Sequence, residues 1–146
     1  MTKLILLVED NASDEKLTVL ALKKCETRNE VFVVRDGAEA LEYLFASGNH
    51  ATRDASELPA LILLDLKLPK IDGLEVLRRI RADDRTRALP VVILTSSKQD
   101  EDIIAGYSSG ANAYVRKPVA YAEFLAAAQA IGAFWLTLNE APVLTR

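Results

Sequence analysis

Short runs of aliphatic residues alternate with longer amphipathic stretches along the whole chain, and this alternation limits the fold more than any other feature of the sequence. The aliphatic runs are Leu4–Val8, Val31–Arg35, Leu61–Leu64, Val91–Leu94 and Ala113–Arg116. Their length and β-branched or leucine-rich content predict five strands. Between and after them, Ser13–Cys25, Ala38–Phe45, Leu74–Arg81, Asp100–Ser108 and Tyr121–Leu138 repeat at helical spacing. Ser13 is the expected cap of the first helix, with Asp14 and Glu15 in its first turn. The run Leu61-Ile-Leu-Leu64 shows no polar alternation, so both faces of that strand should be buried. Strands alternating with helices imply βαβ units and a parallel sheet. Right-handed crossovers then put helices on both faces. The expected fold is α/β, a doubly wound five-stranded parallel sheet of the flavodoxin-like kind.

Half of the 146 residues are hydrophobic, enough for one core, and no repeat or linker divides the chain. The net charge of −3 argues against nucleic acid as a partner. Arg78, Arg79, Arg81, Arg85 and Arg87 are close in sequence, and a solvated helix face accounts for them. Cys25 is the only cysteine, so no internal disulfide can form, which suits a reducing cytoplasm. The apolar start of the chain is interrupted by Glu9 and Asp10, too early for a signal peptide. The stretch from Phe124 to Leu138 is short for a membrane span. These features predict a cytoplasmic protein without a membrane partner. The segment from Ser47 to Pro59 is an unusually long polar loop, and the lone His50 within it reads as a loop residue. Gly37 and Gly110 mark turns, and Gly73 opens the third helix.

In a doubly wound sheet all the strand C-termini share one edge, where ligands bind. Glu9 and Asp10 follow the first strand, Asp65 the third, Thr95 the fourth, and Lys117 with Pro118 the fifth. Three carboxylates at one edge repel one another unless a cation joins them, and an all-oxygen set suits Mg²⁺. Mg²⁺ and Lys117 together would balance the three acids. Such a site can hold a phosphoryl group, with Asp65 as the nucleophile and Thr95 as a hydrogen-bond donor. Lys117 and Thr95 are placed by this reasoning at a solvated edge, where Lys117→Ala would change stability by about 1 kcal/mol or less.

The motifs Val8-Glu9-Asp10-Asn11, Leu64-Asp65-Leu66-Lys67-Leu68-Pro69, Asp72-Gly73, Leu94-Thr95-Ser96-Ser97 and Tyr114-Val115-Arg116-Lys117-Pro118 resemble the receiver domain of two-component response regulators. The likeness runs over about residues 3–138 and defines a receiver domain, 1–138, and a tail, 139–146. It implies a stand-alone phosphoacceptor rather than an enzyme with an external substrate. Asp65 would be phosphorylated by a partner histidine kinase. Asp10, Asp65 and the Lys67 backbone carbonyl would bind Mg²⁺, with Glu9 acting through water. Glu9 stands where Asp is also common. Thr95 and Tyr114 would form a switch pair changing the surface of helix 4, strand 5 and helix 5, Lys117 would bind the phosphoryl group, and the Lys117–Pro118 peptide would be cis. Lys67 and Ser97 would tune the lifetime of the phosphorylated state. Tyr114 could also be simply a core aromatic of the last strand, but its pairing with Thr95 favours the switch.

The long loop, Asp102-Ile103, Gly110-Ala111-Asn112-Ala113-Tyr114 and the ending Phe134-Trp135-Leu136 further resemble regulators paired with phytochrome-type kinases, which are often dimeric. A phosphohydrolase would carry a second acid where Lys67 stands. A flavodoxin-like cofactor binder would need a phosphate loop in place of Glu9-Asp10-Asn11. A pseudo-receiver would lack the full acid set.

On the last helix, Phe124, Ala128, Ile131, Trp135 and Leu138 make the stripe that faces the sheet. Leu125, Ala126, Ala130, Ala133, Phe134 and Leu136 leave the other side apolar as well. Phe124, Leu125, Phe134, Trp135 and Leu136 are therefore the candidate surface for a homodimer or for kinase docking. In the alternative, the tail folds back and covers it with Pro142, Val143 and Leu144.

Overall fold

The computed structural model describes residues 2–142. The element order is β1 (Lys3–Val8), α1 (Ala12–Lys23), β2 (Asn29–Val34), α2 (Gly37–Phe45), β3 (Leu61–Leu64), α3 (Gly73–Ala82), β4 (Val91–Thr95), α4 (Asp100–Ser108), β5 (Ala113–Arg116) and α5 (Tyr121–Gly132). All strands are parallel, in the order β2-β1-β3-β4-β5. This is the doubly wound, flavodoxin-like α/β sheet expected from the alternation.

Each strand sends its side chains to two separate cores, as a pleated strand must. Leu6 and Val8 of β1 join Ile62, Leu64 and Ile93 beneath α2 and α3, where Leu41, Leu44, Leu77 and Ile80 pack. Ile5 and Leu7 join Leu61, Leu63, Val92 and Leu94 on the opposite face, against Leu22 of α1 and Phe124, Ile131 and Leu136 beyond it. Every residue of β3 is buried, which accounts for its unbroken aliphatic run.

Three local expectations change. The cap of α1 is Asn11, whose side chain accepts from the Asp14 N–H; Ser13 lies inside the first turn. The Lys117–Pro118 peptide is trans. Trans is favoured before proline by only about 0.5–1 kcal/mol, so the dipeptide alone leaves the isomer undecided. The last helix is α-helical only to Gly132 and continues as a π-helical segment, Ala133–Leu138. A π turn advances the register by an extra residue. The buried positions run Phe124, Ala128, Ile131 and then Leu136, while Leu138 is exposed. The Lys3 ammonium donates to the Leu136 carbonyl at 2.6 Å, and Thr27 and Thr137 share a hydrogen bond at 2.6 Å. Both contacts tie this segment to the start of β1 and the loop before β2.

The long loop after α2 is held down. It contains a 3₁₀ turn, Gly48–His50. The His50 ring meets Phe32 and Tyr43 edge-on at 5.7 and 5.4 Å, and Arg53 stacks on Tyr43 at 3.9 Å. His50 Nε2 lies 3.2 Å from Glu39. The five clustered arginines are all engaged. Arg78 and Arg79 pair with Glu75, Arg85 with Asp83, and Arg87 with Asp84. Arg81 donates to the carbonyls of Gly110, Arg87 and Leu89 and to Asn112. Cys25 packs at the end of α1, its Sγ within 3.9 Å of the Gln129 carbonyl of α5. Among the described residues, Tyr121–Leu138 is long and apolar enough to cross a membrane by length and composition. Its inward residues belong to the core under the sheet, so it is read as a helix of the fold.

Candidate functional site

The C-terminal ends of β1, β3, β4 and the residue after β5 bring together what the sequence had separated by more than a hundred positions. Parallel register sets this up: Val8 is aligned with Leu64, and Leu64 with Ile93. The residues that follow these strands therefore emerge at one edge. Glu9 and Asp65 are buried there and Asp10 is exposed. Carboxylate oxygens of the three lie within 4.8 Å of one another.

Lys117 closes the site from β5. Its Nζ lies 2.8 Å from Glu9 Oε1, from Asp14 Oδ2 and from Asp65 Oδ2. The side chain is buried, which corrects its expected place at a solvated edge. Thr95 is likewise fully buried, beside Asp65 at the same sheet edge. Stability and site chemistry are therefore linked at Lys117, and a small stability effect for its loss no longer follows.

The electrostatics are those of buried carboxylates gathered around the Lys117 ammonium. Burial raises the Glu9 carboxyl to about 7, although Lys117 pulls it down. Burial also pushes Asp65 upward, but the hydrogen bond and charge of Lys117 leave it below the ordinary aspartate value. Burial alone would lower the Lys117 ammonium. The bonds to Asp14, Asp65 and Glu9 outweigh it and hold Lys117 well above the usual lysine range. At neutral pH Asp65 is thus an ionised carboxylate, the form a nucleophile requires.

The loops around this centre are fixed by short-range bonds. The Lys67 N–H donates to Asp65 Oδ1 at 3.3 Å, and the Lys67 side chain is exposed. Asp72 caps α3 through the Glu75 N–H. Ser97 gives its hydroxyl to Asp102 at the start of α4, and the Tyr114 hydroxyl donates to the Ser97 carbonyl at 3.0 Å. Tyr114 is thereby tied to the loop that follows Thr95. An open cavity of about 430 Å³ beside the acids is lined by Asp10, Leu66, Lys67, Pro69, Asp72 and Asp102, among others.

Two sets of residues depart from the sequence reading. Asp14, read only as a first-turn acid of α1, reaches Lys117. The signal for it was present, because α1 starts at the same edge as the acids, but helix phase alone does not say which first-turn side chain turns inward. On the last helix, Phe124 and Leu136 are buried in the core and are removed from the candidate dimer or docking surface. Phe134 is exposed, and Leu125 and Trp135 are partly so. Pro142, at the last described position, lines a cavity with Leu58, Pro59 and Pro90. Val143 and Leu144 lie outside the described residues.

Comparison with known proteins agrees with this geometry. Residues 5–129 match the model of the response regulator receiver domain. The response regulator Rcp1 of Synechocystis sp. (strain ATCC 27184 / PCC 6803 / Kazusa) is 40% identical over 134 residues, 92% of this chain and 89% of that protein. The structure of its Mn²⁺-bound form superposes with a TM-score of 0.90 at 38% identity, covering 97% of this chain and 99% of that one. The phosphorylated cyanobacterial phytochrome response regulator RcpA gives a TM-score of 0.92 at 39% identity, covering 98% and 100%. The bacteriophytochrome response regulator AtBRR is 51% identical with a TM-score of 0.73, covering 96% and 99%. With the fold, the convergent acids and the match over most of its length in agreement, the chain belongs to the response regulator receiver domain family.

Proposed function

We propose that this receiver accepts a phosphoryl group on Asp65 from a sensor histidine kinase of the phytochrome type and turns over no external substrate. The observation that carries this is the ionised Asp65 carboxylate held 2.8 Å from the buried Lys117 ammonium. Transfer forms a bond between an Asp65 carboxylate oxygen and phosphorus as the P–N bond of a phosphohistidine breaks. The electron pair of that bond stays with the imidazole nitrogen. Lys117 meets the negative charge spread over the phosphoryl oxygens, and Thr95 donates to one of them. The kinase class rests on likeness to regulators described as phytochrome or bacteriophytochrome partners.

The three carboxylates within 4.8 Å of one another fit a hard divalent cation. We assign it as Mg²⁺, held by Glu9, Asp10 and Asp65 with the Lys67 backbone carbonyl. Its chemistry when bound is to neutralise charge on the transferring oxygens. The Thr95–Tyr114 pair couples the site to the surface of α4, β5 and α5, because the Tyr114 hydroxyl already holds the Ser97 carbonyl. Lys67 and Ser97 flank the path of an attacking water and set the phosphoryl lifetime. The site of action is the cytoplasm, with neither nucleic acid nor membrane as partner. The receiver occupies residues 1–138, followed by a tail. With Mg²⁺ and acetyl phosphate, intact mass should rise by one phosphoryl group. Asp65→Asn, or a chelator, should abolish the adduct, and an adduct that persists in either would overturn the assignment.

The homodimer is carried by a narrower surface than the sequence implied: Leu125, Phe134 and Trp135, with Leu138 beside them. Phe134 and Trp135 pack edge-to-face at 5.0 Å, and Phe134 is 47% exposed. Light scattering at micromolar concentration should find a dimer that Phe134→Glu converts to a monomer. A wild type that is monomeric with and without acetyl phosphate would remove the dimer.

A further inference from the structure

The reading of Asp65 as phosphoacceptor leaves one contact at the site unused, the ion pair between Lys117 and Asp14. An ammonium has three N–H donors. In Lys117 two are donated, to Asp14 and Asp65, and Glu9 Oε1 occupies the third side of the ammonium as an ion-pair partner, each contact at 2.8 Å. A phosphoryl group on Asp65 brings further anionic oxygens, and Lys117 can serve them only by releasing a present partner.

The three partners differ in how readily they can be released. The Glu9 and Asp65 side chains are 2% and 7% exposed, so water cannot replace the lysine there. The Asp14 side chain is 25% exposed. It lies in the first turn of α1, where the helix N-terminus stabilises a free carboxylate. It is also outside the group of three acids whose oxygens converge. Asp14 is thus the partner that Lys117 can leave at least cost.

We propose that Asp14 is a positioning residue that acts through Lys117. It holds the ammonium in a resting arrangement and competes for it with the incoming phosphoryl group. Its carboxylate stabilises the unphosphorylated site, and its negative charge opposes the arrival of another anion. The inference rests on the phosphoacceptor reading above, and it makes a prediction of opposite sign to the usual loss of a site residue: removing Asp14 should improve the site as an anion receptor.

The test uses the full chain with Mg²⁺ and beryllofluoride as the phosphoryl mimic. Asp14→Asn keeps the size of the side chain and removes its charge. It should bind beryllofluoride about tenfold more tightly than wild type, the effect of one partly screened charge a few ångströms away. Phosphorylation by acetyl phosphate should accelerate by a similar factor. Asp14→Glu restores the charge and should return both values to wild type. An unfolding midpoint measured on each variant separates this from a structural role, in which beryllofluoride affinity would fall together with stability. A wild type that binds the mimic while Asp14→Asn binds it equally or more weakly overturns the role of Asp14 alone. An Asp14→Glu variant that behaves like Asp14→Asn overturns it too. A wild type that binds no beryllofluoride overturns the phosphoacceptor reading, and this inference with it.

Discussion

Lys117→Ala in chelator at about pH 8 is expected to lose roughly 3–5 kcal/mol of stability, the range found when one partner of a buried charge cluster is removed. What its loss leaves is Glu9, Asp14 and Asp65 facing one another without the cation now 2.8 Å from each. The loss should depend on pH in a defined direction. Glu9 titrates at about 7 in the folded wild type, above its ordinary 4.5, because burial disfavours its charge. A carboxyl raised on folding binds its proton more tightly in the folded state, so its contribution to stability falls as pH rises from the unfolded value to the folded one. In the variant Lys117 no longer pulls Glu9 down, so the fall continues above pH 7 where the wild type has levelled off. Lys117 stays charged in the wild type throughout this window, because its folded pKa lies above the lysine value of 10.5. The difference between the two proteins should therefore be widest on the alkaline side and shrink toward pH 5. Added Mg²⁺ should recover part of it, since a ligand that binds only the folded state stabilises it. Urea midpoints with and without Mg²⁺ across this range check all three points. A variant within about 1 kcal/mol of wild type in chelator at about pH 8 would show that Lys117 does not hold these carboxylates together.

The second large effect is expected at Gly73. A Cβ built on it would lie 2.2 Å from the Asp65 carbonyl oxygen and 2.7 Å from Leu66 Cα. Both are backbone atoms, so no side chain can rotate away to make room. The Gly73 N–H also donates to the Leu66 carbonyl at 2.9 Å, which seats α3 directly on the phosphoacceptor loop. Gly73→Ala must move either the start of α3 or the Asp65–Leu66 peptide. We expect a loss of about 3 kcal/mol, the upper part of the range for overpacking. Phosphorylation by acetyl phosphate should slow by about a hundredfold, because displacing a reacting group by about 1 Å has effects of that order. An Asp65 adduct forming at the wild-type rate, with an unchanged unfolding midpoint, would show that the loop and the helix are not seated on one another.

The limits of β3, α4 and β5 were legible in the sequence as they stand, because an unbroken aliphatic run or an acidic first turn between turn residues is local information. The convergence of Glu9, Asp10, Asp65, Thr95 and Lys117 was also legible. Once the strands are parallel, the residue after each one must appear at the same edge. The cap of α1 was misplaced by two residues, since Asn11 and Ser13 are both competent caps and only the backbone path chooses between them. The last helix was assigned one continuous phase, and the π segment shifts Leu136 inward and Leu138 outward.

What the sequence by itself determined is the order and type of the elements, and through them the set of side chains gathered at one sheet edge. Both follow from periodicity and strand direction, which are properties of neighbouring residues. Tertiary structure alone decided the burial of Lys117, the part taken by Asp14, and the removal of Phe124 and Leu136 from the surface. Each of these depends on which atoms from distant segments exclude water from the same volume. That exclusion is also what raises Glu9, while the buried Lys117 ammonium holds Asp65 ionised and so belongs to both the fold and its chemistry.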